Sequence, residues 1–257
     1  MTVVPLHNTS QSVCNECPVK TISLCHYVDT DTRAEMCRLL HPAVFSRGQT
    51  IIMQGDTATT LGIVTAGVVK TVFMTEDGDT QVLGLLFPGD LVGCAYEAEM
   101  RFSYEAATDA SLCLFNRRSF ENLLSRSSAL EHGYLMTTLA QMESMRSWTC
   151  LLRGRTARQR VAAYLLYRSV TEDTADAYVE TIGDRLVLNL RLSLIDLASL
   201  LDMTPETFCR CLHSLADQGA IHVCAPHLIE VLDDERLQTL AGPSIEGLVT
   251  GLQRAVG

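Results

Sequence analysis

The chain has 257 residues, 47% of them hydrophobic and 19% charged, the composition of an ordinary soluble protein with room for two modest domains. Its net charge of −10 argues against a non-specific nucleic-acid binder working by counterion release, so any DNA contact has to be local and sequence-directed. No stretch near the start pairs basic residues with an apolar run, and the most apolar segment, Leu83–Val92, is broken by Pro88 and Asp90 well short of a membrane span. A cytoplasmic protein without membrane contact is the expectation.

Residues 1–10 read as an unordered lead, and Asp29–Leu40 as a short helix with early acids and Met36, Leu39 and Leu40 at helical spacing. From about Ala43 to Asn116 short alternating segments are punctuated by turn residues. Asp77-Gly78, between Val68–Met74 and Thr80–Leu86, marks a hairpin. Many short strands at close spacing predict an antiparallel sandwich, barrel or roll.

From Ser119 to Leu152 the turn residues vanish, Gly133 excepted. Leu135, Thr138, Leu139, Met142, Met145, Thr149 and Leu152 then recur three or four apart on one stripe. So narrow a seam fits a helix that pairs with its twin better than one packed on its own β domain. Thr138 and Thr149 interrupt it, which points to marginal pairing. A further helix follows over 153–170, with Val161, Ala162, Leu165 and Leu166 inward. Arg153, Arg155, Arg158 and Arg160 crowd its start, a patch that either meets phosphates or is simply solvated. Residues 171–184 read as a polar, acidic loop and Leu186–Leu190 as a strand.

Ser193 to Gln218 carries the DNA chemistry. Ser193 caps a helix whose inward face is Leu194, Leu197, Ala198 and Leu201. After a break at Asp202-Met203, Thr204 caps a second helix with Pro205 at its first position and Glu206 in its first turn. Phe208, Cys211, Leu212 and Leu215 hold that helix down, leaving Thr204, Glu206, Cys209, Arg210 and His213 to read DNA. Two short segments, Ala220–Val223 and Leu228–Leu232, then form a wing. Together these make a winged helix-turn-helix, whose second helix enters the major groove.

Ten cysteines in a cytosolic chain point to metal or redox chemistry, although several can pack as small hydrophobes. Cys14-x2-Cys17-x7-Cys25 brings three thiols within reach of one centre. Zinc needs a fourth ligand such as His26 or Cys37, and an iron–sulfur cluster a fourth thiolate from anywhere in the chain. The spacing matches neither ferredoxin pattern. A thiol oxidoreductase or iron–sulfur enzyme is disfavoured, because no βαβ pattern accompanies the CxxC and no phosphate loop, HExxH or GxSxG is present.

Glu206-Thr207-x-x-Arg210, the preceding Leu200-x-x-Met203-Thr204, and Pro88-Gly89-Asp90-Leu91-Val92-Gly93 in the β region together resemble the Crp/Fnr superfamily of transcription regulators, over residues 14 to 232 or so. The N-terminal cysteines are similar to those of its FnrN/FnrL-like oxygen-sensing branch, and Cys113 sits where that branch has a lone cysteine late in its β-roll. The resemblance implies an α+β chain. Residues 1–30 would be a cluster segment, 31–118 an antiparallel β-roll of the cyclic-nucleotide-binding kind, 119–152 a dimerisation helix and 153–257 the winged helix-turn-helix.

It further implies a [4Fe–4S] cluster on Cys14, Cys17, Cys25 and Cys113, with Cys94 the main competitor for the fourth place. Cys37, Cys94, Cys150, Cys211 and Cys224 are expected to be packing residues. Loss of the cluster to oxygen would uncouple a homodimer that binds a palindromic operator, with TTGAT-like half-sites, and works with RNA polymerase on anaerobic or microaerobic genes. Cys209 departs from the serine usual before that arginine, which leaves the outer bases open. A Crp-like regulator controlled by a small-molecule or haem effector is the alternative. Gly89-Asp90 and Arg101-Phe102-Ser103 match the nucleotide-gripping residues poorly, and His26 and His41 are weak haem ligands.

Overall fold

The structure, a computed structural model, describes residue 14 and residues 16–170, 179–182, 185–190, 192–225 and 227–242. The chain divides into two compact units between Gln141 and Met142. In the first, a single 3-10 turn (Leu24–His26) leads to helix α1 (Thr30–Leu39), which Asp29 caps by accepting the Thr32 N–H.

Eight strands follow: β1 (Leu40–Phe45), β2 (Thr50–Ile52), β3 (Thr60–Ala66), β4 (Val69–Met74), β5 (Thr80–Leu86), β6 (Leu91–Val92), β7 (Ser103–Ala106) and β8 (Ala110–Asn116). They form two antiparallel four-stranded sheets, ordered β1-β8-β3-β6 and β2-β7-β4-β5. The β4–β5 hairpin turns where the Asp-Gly pair predicts, with Gly78 at φ +88°, a conformation that favours glycine.

Strand alternation divides the first sheet between two cores. Val64, Val92, Ala110 and Leu112 face the second sheet and pack against its Ile52, Val69 and Ala106. Leu61, Ile63, Leu91, Cys113 and Phe115 face the other way, under Val19, Leu24, Val28 and Met36 of the N-terminal region and Phe120, Leu123 and Leu130 of the helices after the roll.

Those helices correct the sequence reading. The single helix expected over 119–152 is two, α2 (Arg117–Leu124) and α3 (Ser128–Leu152). Asn116 starts α2 early by accepting the Ser119 N–H. Ser125 ends it with its N–H on Glu121 O, and Ser127 Oγ accepts the Leu130 N–H to open α3. Serines that bond the backbone locally break a helix that apolar spacing alone would continue.

In the second unit α4 (Ala157–Val170) is buried along Val161–Tyr167, and Trp148 stacks edge-on against Tyr167, 5.1 Å between ring centroids. The expected loop over 171–184 contains a strand, β9 (Val179–Ile182), paired with β10 (Arg185–Asn189). The rest of that loop lies outside the described residues. Helices α5 (Leu194–Leu200) and α6 (Pro205–Asp217) follow, then β11 (Ile221–Ala225), β12 (Leu228–Val231) and α7 (Asp234–Ala241), which packs on α4. The wing is therefore half of a four-stranded sheet, β11-β12-β10-β9, rather than a lone hairpin.

Candidate functional site

Two places hold the residues singled out above. The first is built by a tight N-terminal fold. The Lys20 N–H donates to Cys17 O and those of Ile22 and Ser23 to Val19 O, so the chain doubles back. Ser23 Oγ then accepts the Cys25 N–H. Val19, Leu24 and Val28 anchor the segment on the outer face of the first sheet.

Alternation along β8 turns Leu112 inward and Cys113 outward, towards that segment. Cys14, Cys17, Cys25 and Cys113 therefore line one cavity, whose walls are otherwise mostly apolar, Met36, Ile63 and Phe115 among them, with Lys20 and Arg33 its two cations. Burial first, then the nearby Cys17 and Cys25, pushes the Cys113 thiol up to about 12, and burial likewise raises Cys25. These thiols hold their protons until a cation displaces them.

Cys14 is disulfide-bonded to the buried Cys37, so Cys14 ligates only once that bond is reduced, and Cys37 is no plain packing residue. Cys94 lies elsewhere, its Sγ 3.6 Å from Tyr134 Oη. His26 packs edge-on against Tyr27 and is not among the cavity-lining residues. Arg33 donates through Nη2 to Cys25 O and Val28 O, at 3.1 and 2.9 Å, while its Nε is buried without an acceptor. An anionic group carried on sulfur would supply that acceptor and suit the two cations. The donor set and its surroundings therefore fit a four-thiolate cluster once the Cys14–Cys37 bond is open.

The segment also packs on the start of α3, most closely at Gly133. A Cβ on Gly133 would lie 2.9 Å from Tyr27 Cβ and 3.0 Å from Leu24 O, so only glycine permits this approach. Tyr27 packs edge-on against His132 beside it, and Tyr134 Oη accepts the Ala95 N–H at 3.0 Å.

The second place is α6. Thr204 caps it by accepting the Thr207 N–H, Pro205 opens it, and Asp202 takes φ +53° in the preceding turn. Phe208, Cys211, Leu212 and Leu215 are buried, while Glu206, Arg210 and His213 are exposed and Cys209 is half-buried. Arg210 Nη2 rests on Thr207 Oγ1 at 3.1 Å. The Glu206 carboxyl is held below its usual range by its own backbone N–H, then by the Thr204 hydroxyl and Arg210. A carboxylate and a guanidinium thus stand side by side on the free face of a capped helix.

Two family models match the chain: the cyclic nucleotide-binding domain over residues 42–127 and the Crp-like helix-turn-helix domain over residues 159–240. The chain belongs to the Crp/Fnr family. It is 29% identical to the transcriptional activator protein FnrL of Cereibacter sphaeroides, over 91% of this chain and 94% of that one. It is 27% identical to the nitrogen fixation regulation protein FixK of Bradyrhizobium diazoefficiens, over 89% and 93%. The structure of FixK2 from Bradyrhizobium japonicum shares its fold, with a TM-score of 0.68 at 24% identity, covering 80% of this chain and 99% of that one. As a Crp/Fnr protein the chain is a DNA-binding transcription regulator and not an enzyme.

On α3, Leu135, Leu139, Met142 and Met145 are 53, 42, 40 and 59% exposed, Thr138 and Thr149 are exposed, and Leu152 is half-buried. Both threonine hydroxyls donate back to their own helix, to Tyr134 O and Met145 O, so they interrupt the stripe less than their polarity suggests. Cys211 packs as expected, but Cys150 and Cys224 are exposed. Trp148 and Leu151 take the inward positions of α3, and Cys224 falls at a bulge in β11.

Of the arginines at the start of α4, Arg155 donates to Ala241 O and Cys150 O, and Arg160 pairs with Asp202, so neither is a bare phosphate hook. In the roll, Asp90 caps the Phe87 N–H, Arg101 reaches Glu97, and Ser103 Oγ accepts the Gln54 N–H. The groups weighed for a cyclic phosphate are thus engaged within the chain. No helix among the described residues is long and apolar enough to cross a membrane.

Arg33 was invisible to sequence reading, one of two arginines in a short helix with no motif around it. Gly133 did leave a signal, as the one turn residue in a long helical run.

Proposed function

We propose that this regulator is an oxygen-responsive transcriptional activator whose [4Fe–4S] cluster is held by Cys14, Cys17, Cys25 and Cys113. The observation carrying the reading is that a segment bearing three of these cysteines shares one cavity with Cys113 and packs against α3 at Gly133. The naming of FnrL and its likeness over nearly the whole chain support the activator role.

When bound, the cluster supplies a reaction with oxygen that the protein's own side chains lack. Lys20 and Arg33 balance its negative charge, and Met36, Ile63 and Phe115 limit water. Leu24 and Tyr27 press the segment onto α3, so the segment's order biases how that helix presents Leu135, Leu139, Met142 and Met145 to a second copy. Only a difference in affinity between the two states of the helix makes this a switch. In the dimer, two α6 helices meet half-sites about one DNA turn, roughly 34–36 Å, apart. There Arg210 suits a guanine edge and Glu206 a cytosine amino group, as in TTGAT-like half-sites, and the bound dimer engages RNA polymerase.

The test is anaerobic purification with visible absorption, iron and sulfide analysis, followed by air while the mass is tracked. A brown protein with about four irons per chain that bleaches as a dimer dissociates is expected. Cys113→Ala should lose the iron, and Cys94→Ala and Cys37→Ala should keep it. A colourless protein that stays dimeric and binds DNA equally in air overturns the cluster reading and leaves the regulator standing.

A further inference from the structure

Away from the cysteine cavity, the wing gathers three unlike metal ligands. His222 on β11 and Glu230 on β12 are direct cross-strand partners. A bulge between Val223 and Ala225 frees Cys224 from strand register, and its thiol lies beside the same pair. Cys224 Sγ is 3.4 Å from His222 Nδ1 and 4.0 Å from Glu230 Oε2, and His222 Nδ1 is 3.5 Å from that oxygen. Their cross-strand pairing accounts for His222 and Glu230 but not for a thiol within reach of both.

These spacings match a coordination shell. With metal–ligand lengths of about 2.0 Å to nitrogen or oxygen and about 2.3 Å to sulfur, the edges of a tetrahedron run to roughly 3.3–3.6 Å. Two of the three edges are already there, and the third needs a few tenths of an ångström from an exposed side chain.

We propose that His222, Cys224 and Glu230 form a site for a thiophilic divalent cation, Zn2+ by preference, on the wing of the DNA-binding unit. Thiolate and imidazole select such an ion over Mg2+ or Ca2+. Binding exchanges the thiol proton for the metal, and the thiolate and carboxylate together neutralise its two charges. Glu230 is buried and fixes one ligand, while exposed His222 and Cys224 leave the fourth position to water or an incoming anion. The ion ties β11 to β12, and β11 packs on α6, so its occupancy reaches the helix that reads DNA. This site needs none of the cysteines assigned to the cluster.

The full-length protein, reduced and kept anaerobic, is titrated with Co2+ as a coloured probe and then with Zn2+ to displace it. Because the N-terminal thiols also take cobalt, the readout is a difference. Wild type should bind one ion per chain more than Cys224→Ala or His222→Ala, and the Cys224→Ala spectrum should lack one thiolate's share of the sulfur-to-cobalt absorption. His222 is exposed, so its alanine variant keeps the fold, verified by a metal-free melting curve equal to that of wild type. Equal metal stoichiometry and affinity in wild type and both variants would overturn the proposal.

Discussion

Asp90 should set part of the protein's pH response. It closes the Phe87–Asp90 turn, its Oδ2 accepting the Phe87 N–H at 2.7 Å, and Leu91 O of the strand that follows accepts a hydrogen bond from Gln141 Nε2 of α3. Burial, opposed only by that hydrogen bond, pushes its carboxyl from 3.8 up to about 7. A folded-state pKa raised above the unfolded value means the fold prefers the neutral acid. The associated stability is full below about pH 4 and is lost as pH rises through about 7.

Some 3 pH units at ~1.4 kcal/mol each make ~4 kcal/mol in all, of which ~3 kcal/mol falls between pH 5 and 8. The residue is half-buried, so water reaching the carboxylate brings the expected figure to ~2 kcal/mol. Asp90→Asn keeps an oxygen for Phe87 and cannot ionise. In urea unfolding of identically prepared proteins, the stability of the variant relative to wild type should rise by ~2 kcal/mol from pH 5 to pH 8. A constant difference across that range would refute the reasoning.

Arg210→Ala should weaken operator binding by ~1–3 kcal/mol, about five- to 150-fold, and relax base preference at one position, read by fluorescence anisotropy at fixed salt. Met142→Glu places like charges face to face if α3 pairs with its twin. Sedimentation should then show a shift to monomer with an unchanged circular dichroism spectrum, whereas an unaltered dimer would exclude this stripe from the interface. Gly133→Ala drives a methyl against Leu24 O and Tyr27. It should cost ~1–3 kcal/mol in thermal unfolding, against a slight gain on helix propensity alone.

Much of the fold was legible because its signals are local. The Asp-Gly hairpin, the Thr204-Pro205 start of α6 and the cysteine spacing each lie within a few residues. What escaped depends on distance or on competition. The Ser125–Ser127 break was hidden because apolar spacing continues through it, and β9 because its alternation is four residues long and gains its meaning from pairing with β10. Cys113 was found by resemblance, yet its physical reason, that alternation turns it to the same face as Phe115, needs the strand register. The wing cluster needed both a bulge and a cross-strand pairing, neither of which leaves a mark in a single sequence.

The bare backbone of Gly133 has a thermodynamic corollary. Where the cysteine segment biases α3, α3 biases the segment by the same factor, because coupling free energies between binding equilibria are reciprocal. An operator that rewards the paired helices must therefore also tighten the hold of the N-terminal cysteines on whatever they bind. Under the proposed oxygen-sensing function the promoter becomes a ligand of the sensor, and molecules seated on DNA would keep their cluster at an oxygen level that empties those free in solution.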